Sequence, residues 1–307
     1  MKRPVIISVL CLIASLAVMF FGFRGSQAKT PAKTKTITLL TQEDTGSFLL
    51  QLRYGAEAAA AEVGDKLSIS TLNRDDPATQ IAALQADGIA AILLYGSDDA
   101  LTRQVKAVCK ELRLPLTLLD REEVGSACVA TDETLAGTLA VQRVQTLGVT
   151  DVVFLTDNSL MAAKRLRGAT DALEGSLADV EIWDGWTNAT ALPEKVQKLT
   201  ARGACVIALT GDATLAALRL QANGLLNAAN AIIGMDPGSD RVSLVENGQV
   251  SALILPAPYT MGYRGYRLAE TMLHGGKAES VTVEPKLITL TNLYSPENVK
   301  VAFPLLQ

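Results

Sequence analysis

Residues 76–95 read DPATQIAALQADGIAAILLY and hold one complete helix-then-strand unit. Asp76 offers an N-cap carboxylate, and Pro77 stands in the first turn, where its missing N–H costs nothing. Ile81 and Leu84 recur on one helical face, and Gly88 ends the helix. Residues 89–95 then run almost wholly apolar, as a strand covered on both faces must. The same rhythm extends outward in both directions. Strand-like runs fall at 37–40, 67–72, 89–95, 116–119 and 127–130. A second set follows at 152–155, 180–183, 205–209, 231–235 and 251–255. Amphipathic stretches separate them, one of which opens at Asp132, buries Leu135, Leu139 and Val144, and stops at Gly148. Strands alternating with helices make parallel βαβ units, and two sets of strands imply two sheets in an α/β chain.

Composition agrees. At 307 residues the chain exceeds one compact core, and with 49% hydrophobic but only 5% aromatic residues its interior is built from Ala, Leu, Val and Ile. The net charge is −4, and three of the cations (Lys2, Arg3, Arg24) lie in the first 28 residues, so the body is acidic and nucleic acid is not an expected partner. The single histidine, His274, reads as a helix-end residue. Cys11, Cys109, Cys128 and Cys205 show neither metal-ligand spacing nor a disulfide framework, so no metal or other cofactor is expected.

Lys2 and Arg3 precede an apolar stretch at 5–23, followed by Gly25 and the triplet Ser26-Gln27-Ala28. This leader directs the chain to a membrane, giving an extracytoplasmic protein in the periplasm or on the outer face of the cell membrane. Small residues before Lys29 suit cleavage after Ala28. The length of the stretch, at about 1.5 Å per residue against roughly 30 Å of hydrocarbon, suits a retained helical anchor instead. Residues 29–35 form a polar spacer.

Ligands of parallel sheets gather beyond the carboxyl ends of the strands. Those ends carry Thr41-Gln42-Glu43-Asp44-Thr45-Gly46-Ser47-Phe48, then Asp120-Arg121, Thr210-Gly211-Asp212, and Asp236. Carboxylates and a guanidinium suit a polyhydroxylated ligand, and an aromatic ring offers a flat apolar face for a sugar. The plainer alternatives are a surface ion pair for Asp120 and Arg121, helix caps for Asp212 and Asp236, and core packing for Phe48.

Residues 45–57, 76–80, 114–121, 232–236 and 247–252, with Gly275-Gly276 and 287–292, resemble type I periplasmic solute-binding proteins, near the ribose-binding group. The resemblance implies two Rossmann-like lobes with parallel sheets, joined by three crossovers near 130–132, 255–258 and 288–291, that close on ligand about a hinge. Lobe one is then 36–130 with 258–289, and lobe two 131–257 with 290–307. It also implies that Asp120 and Arg121 bind sugar hydroxyls, that Phe48 stacks on the ring, and that Asp236 grips from lobe two. The chain departs from the family at Gly46, Ala163, Thr210 and Pro256, which puts ribose itself in doubt. Arg165, two residues from Ala163, and Trp186, after the strand at 180–183, are candidate replacements; the plainer reading of Trp186 is packing. The candidate ligand set is therefore Ser47, Phe48, Asp120, Arg121, Arg165, Trp186, Thr210 and Asp236.

The expected function is a monomeric binding protein that captures a sugar or similar polar solute and presents it to the permease of an ABC importer. A membrane-tethered sensor signalling to a kinase or chemoreceptor is the alternative. An enzyme is not expected: there is no phosphate loop or nucleophile elbow, and Arg121 beside Asp120 should depress the carboxyl pKa, the opposite of what a glycosidase acid needs.

Overall fold

The structure is a computed structural model that describes residues 34–42, 46–173, 179–236, 241–277 and 279–303. The leader lies outside the described residues, as do Glu43, Asp44 and Thr45 of the first loop. Among the described residues no helix is long and apolar enough to cross a membrane.

The chain first winds β1 (Thr36–Thr41), α1 (Ser47–Val63), β2 (Lys66–Thr71), α2 (Pro77–Ala86), β3 (Ile89–Tyr95), α3 (Asp99–Glu111), β4 (Leu116–Leu119) and β5 (Ala127–Thr131). It then crosses at Asp132 and builds a second set: α4 (Glu133–Thr146), β6 (Val152–Leu155), α5 (Leu160–Leu173), β7 (Val180–Trp183), α6 (Glu194–Ala201), β8 (Cys205–Ala208), α7 (Gly211–Ala222), β9 (Ile232–Met235), α8 (Arg241–Glu246) and β10 (Ala252–Leu255). The return carries α9 (Pro258–Leu273), β11 (Ser280–Val283), β12 (Lys286–Ile288) and α10 (Pro296–Ala302). All ten strands read from the sequence are present, each within one residue of its expected ends.

Among the described residues two six-stranded sheets result, ordered β11-β5-β4-β3-β1-β2 and β12-β10-β9-β8-β6-β7. The orders correspond strand for strand, so β4 of the first lobe and β9 of the second are equivalents. Pairing is parallel except between β10 and β12. Successive strand residues feed opposite cores, as a period of two demands: Leu39 and Leu93 pack on the α1/α9 side, while Leu40 and Leu94 pack beneath α2 and α3.

Two boundaries differ from expectation. β12, read with lobe one, pairs antiparallel with β10 of the second sheet (Leu253↔Ile288, Leu255↔Lys286), so the third crossing lies at 284–285 and not at 288–291. The C-terminal segment, read as lobe two, bonds to both: Tyr294 donates to Glu246 of α8, while the Val301 carbonyl accepts from Gln51 of α1 at 3.4 Å. β11 had no strand signature because it is a short edge strand with only Val283 buried.

Each lobe clamps two helices together through glycine. In lobe one a Cβ on Gly55 of α1 would lie 1.9 Å from the Tyr259 carbonyl oxygen, and one on Gly262 of α9 would lie 1.9 Å from that of Leu52. In lobe two a Cβ on Gly137 of α4 would stand 1.8 Å from the Arg165 carbonyl oxygen, and one on Gly168 of α5 would stand 1.9 Å from that of Thr134. Thr138 Oγ1 crosses the second contact to donate to the Gly168 carbonyl at 3.2 Å. Because each obstacle is backbone, a methyl group cannot be absorbed by a rotamer change. Gly137→Ala is therefore expected to cost about 2–3 kcal/mol of unfolding free energy, measured as a lower urea midpoint at unchanged slope.

Candidate functional site

Asp120 follows β4 and Asp236 follows β9, so equivalent ends of the two sheets each present a carboxylate. Both sit in the left-handed backbone region, with φ of 56° and 46°. Aspartate enters that region more readily than most residues, but at a cost. Gly211 makes room for the second turn, since a Cβ there would lie 2.2 Å from the Asp236 carbonyl oxygen. The sheet still holds the first one, through the Asp120 N–H donating to the Val129 carbonyl at 2.8 Å.

Lobe two builds its half around Arg165, only 3% exposed. Its Nε donates to Glu133 at 2.5 Å, Nη1 to the Leu209 carbonyl at 2.9 Å and Nη2 to Asp236 Oδ2 at 2.7 Å. The glycine clamp explains the geometry: Gly137 rests on the Arg165 backbone, and Glu133 lies one helical turn before Gly137. Burial works against the guanidinium charge, but Asp236 and Glu133 outweigh it and hold Arg165 protonated. Burial likewise pushes the Glu133 carboxyl up, and Arg165 opposes the rise. The other Asp236 oxygen, Oδ1, is buried and has no hydrogen-bond partner in the protein.

Lobe one supplies Asp120 and an aromatic face. The Asp120 side chain keeps an open path to water, yet the cleft walls crowd around it, and its carboxyl is pushed up to about 7. Poor hydration is the main cause, followed by the charges of Asp236 and Glu133 across the cleft, with Arg165 pulling the other way. This reverses the expectation that Arg121 would depress it. Arg121 turns back onto the start of α3, donating to the Ser97 carbonyl at 3.0 Å and Thr102 Oγ1 at 3.2 Å and pairing with Asp99. The acid in the first turn of α3 competes for the guanidinium better than its sequence neighbour does. Phe48 stacks on Tyr95, the last residue of β3, with centroids 5.3 Å apart and planes 9° from parallel.

A cavity of about 240 Å³ lies between the lobes, with Asp120, Arg121 and Glu122 on one wall and Glu133, Leu160 and Lys164 among those on the other. A second, of about 170 Å³, runs from Asp120 and Arg121 to Tyr95 and Ser97. The structure brings Asp236 and Arg165 close enough to Asp120 for their charges to act on it, but of the three only Asp120 lines the two cavities. It ties Arg121 to its own lobe but leaves it on the wall. Thr210 is buried and caps α7, its Oγ1 accepting from the Ala213 N–H at 3.2 Å. Trp186, a candidate for stacking on a ligand, is 6% exposed within the apolar core, and its Nε1 donates to the Thr156 carbonyl at 2.5 Å. Ser47 is half-buried at the first residue of α1. Glu133 and Tyr95 are the residues that sequence reasoning missed. Their signal was positional: one directly follows the first crossover, the other ends a strand. Among the described residues no group of three or more His, Cys, Asp or Glu side chains is arranged to hold a metal ion.

Residues 37–277 match the family described as periplasmic binding protein domain. The ribose import binding protein RbsB of Salmonella typhimurium is 26% identical over 288 residues, covering 82% of this chain and 90% of that protein. Among solved structures, a XylFII–LytSN complex superposes with a TM-score of 0.72 at 21% identity, covering 85% of this chain and 99% of the other. An ABC transporter solute binding protein from Agrobacterium vitis, bound with alpha-D-tagatopyranose, superposes at 0.65 with 19% identity, covering 87% and 99%. At such identities the solved structures establish the fold alone. Two lobes wound alike, joined by three crossings and matched across both, make this chain a member of the type I periplasmic binding protein family, a family of extracytoplasmic binding proteins rather than enzymes.

Proposed function

We propose that the chain captures a sugar or similar polyhydroxylated solute between its lobes and presents the closed form to an ABC importer. The supporting observation is the pair of carboxylates on equivalent strand ends, close enough to feel each other's charge, one of them with a buried oxygen that has no donor. Hydroxyl groups are donors that would satisfy both lobes at once, so a bound polyol favours closure. The Phe48–Tyr95 stack gives the apolar face of a sugar ring a flat surface. The relatives named above for ribose and tagatose agree with this class of ligand. The departures at Gly46, Ala163, Thr210 and Pro256 argue for a sugar other than ribose.

Calorimetry of the purified chain against pentoses, hexoses, their ketoses and cyclic polyols tests the reading. One of them should bind; silence across the whole panel would remove it. For that solute, Asp120→Asn is expected to weaken binding about 10- to 100-fold, the scale of a hydrogen bond to a charged group. Phe48→Ala should weaken it about fivefold.

The raised Asp120 pKa also sets a pH signature of the fold. The folded state keeps the proton up to about pH 7, whereas the unfolded chain releases it near the ordinary aspartate value of 3.8. The stability this group contributes is fully present below the lower value and is lost as pH rises through the upper one. Asp120→Asn should therefore raise the melting temperature most at pH 8, less at pH 5 and little at pH 3, read by calorimetric scans of both proteins.

The leader favours one further output, a tethered sensor that passes ligand occupancy to a membrane kinase or chemoreceptor. The apolar stretch at 5–23 is long enough to stay in a bilayer, and a similar fold occurs in the XylFII–LytSN complex. Intact-mass analysis of the chain from membranes should then find residues 1–28 retained. Loss of the leader after Ala28 would leave the importer reading alone.

A further inference from the structure

The loop after β4 is held by ion pairs on both sides of the cleft. Arg121 pairs with Asp99 and Glu123 with Lys106, so two points pin the loop to α3 of its own lobe. Glu122, between them, pairs instead with Lys164 of α5 in lobe two. Among the described residues, every other ion pair joins residues of a single lobe. The two side chains line the interlobe cavity and are 40% and 31% exposed, less open than most surface pairs.

We propose that Glu122 and Lys164 form an interlobe latch, which favours the closed form before ligand arrives and slows ligand escape afterwards. Separation of the lobes must break this pair, whereas the other ion pairs of the loop and of α5 move with their own lobe. An interaction made only in the closed state shifts the equilibrium toward it by its full free energy. Ordinary surface pairs lose much of their value to the entropy of holding two flexible chains. Here both backbones are already fixed: the loop by its two pairs to α3, and α5 by Gly137 and Gly168 against α4. Lys164 also lies near the Glu133 carboxylate, so the lobe-two end of the latch sits in acidic surroundings. The effect on ligand escape rests on the proposed solute-binding function; the effect on closure does not.

The test places one dye on α3 (Arg103→Cys) and one on α6 (Gln197→Cys) in the full chain carrying Cys11→Ser. Cys109, Cys128 and Cys205 are buried and stay unlabelled. Without ligand, Lys164→Glu should lower the ratio of closed to open molecules about two- to fivefold, with a larger effect at about 0.01 M salt than at about 1 M. The exchanged pair, Glu122→Lys with Lys164→Glu, should restore it. Glu122→Gln leaves lobe two untouched and serves if the lysine variant fails to fold. With a solute from the sugar panel, dissociation should quicken in the single variants and recover in the exchanged pair. Unchanged dye separation in the single variants, or an exchanged pair as open as either, would overturn the latch. If no solute binds, the proposed function fails, yet the dye measurement still decides the latch.

Discussion

A guanidinium almost sealed from water must be surrounded by acceptors, and this requirement at Arg165 organises the ligand side of lobe two. Its partners come from distant parts of the chain: Glu133 at the first crossover, the Leu209 carbonyl after β8, and Asp236 after β9. Removing one partner would strand a buried charge, which makes such networks rigid even where they add little net stability. One Asp236 oxygen is thereby held in place, and the other is left without a donor in the protein.

Backbone packing sets up that network. Lobe one and lobe two solve the same problem alike, pressing two helices together over glycines until only a hydrogen atom fits between them. In lobe one the contact has a structural result, seating α1 and α9 against the sheet. In lobe two it also has a chemical one, because the helices so joined carry Glu133 and Arg165. A small-residue contact one turn along the same face of each helix from its charged group thus sets the spacing of an ion pair.

The two lobes face each other with acceptors in excess. Asp120, Asp236 and Glu133 share Arg165, and poor hydration of Asp120, reinforced by the two neighbouring carboxylates, lets it hold a proton up to about pH 7. A surface of that kind is stabilised by anything that brings donors, whether a proton or the hydroxyls of a solute. Arg121, the cation nearest Asp120 in sequence, does not relieve it, because Asp99 and the start of α3 have claimed it.

Amino-acid order alone determined the elements and the class of fold. Caps such as Asp76-Pro77, apolar runs bounded by glycine, and residues alternating between two cores are local signals, and each depends on near neighbours in the chain. Asp120 and Asp236 were legible for the same reason, since strand ends can be counted. Tertiary structure decided the rest. It gave β12 to the second sheet, turned Arg121 away from Asp120, buried Trp186 in the core, and joined Glu133 to Arg165. These outcomes are competitions between partners far apart in sequence. A charge or a strand edge pairs with whichever group folding brings within reach, and no local pattern records that distance.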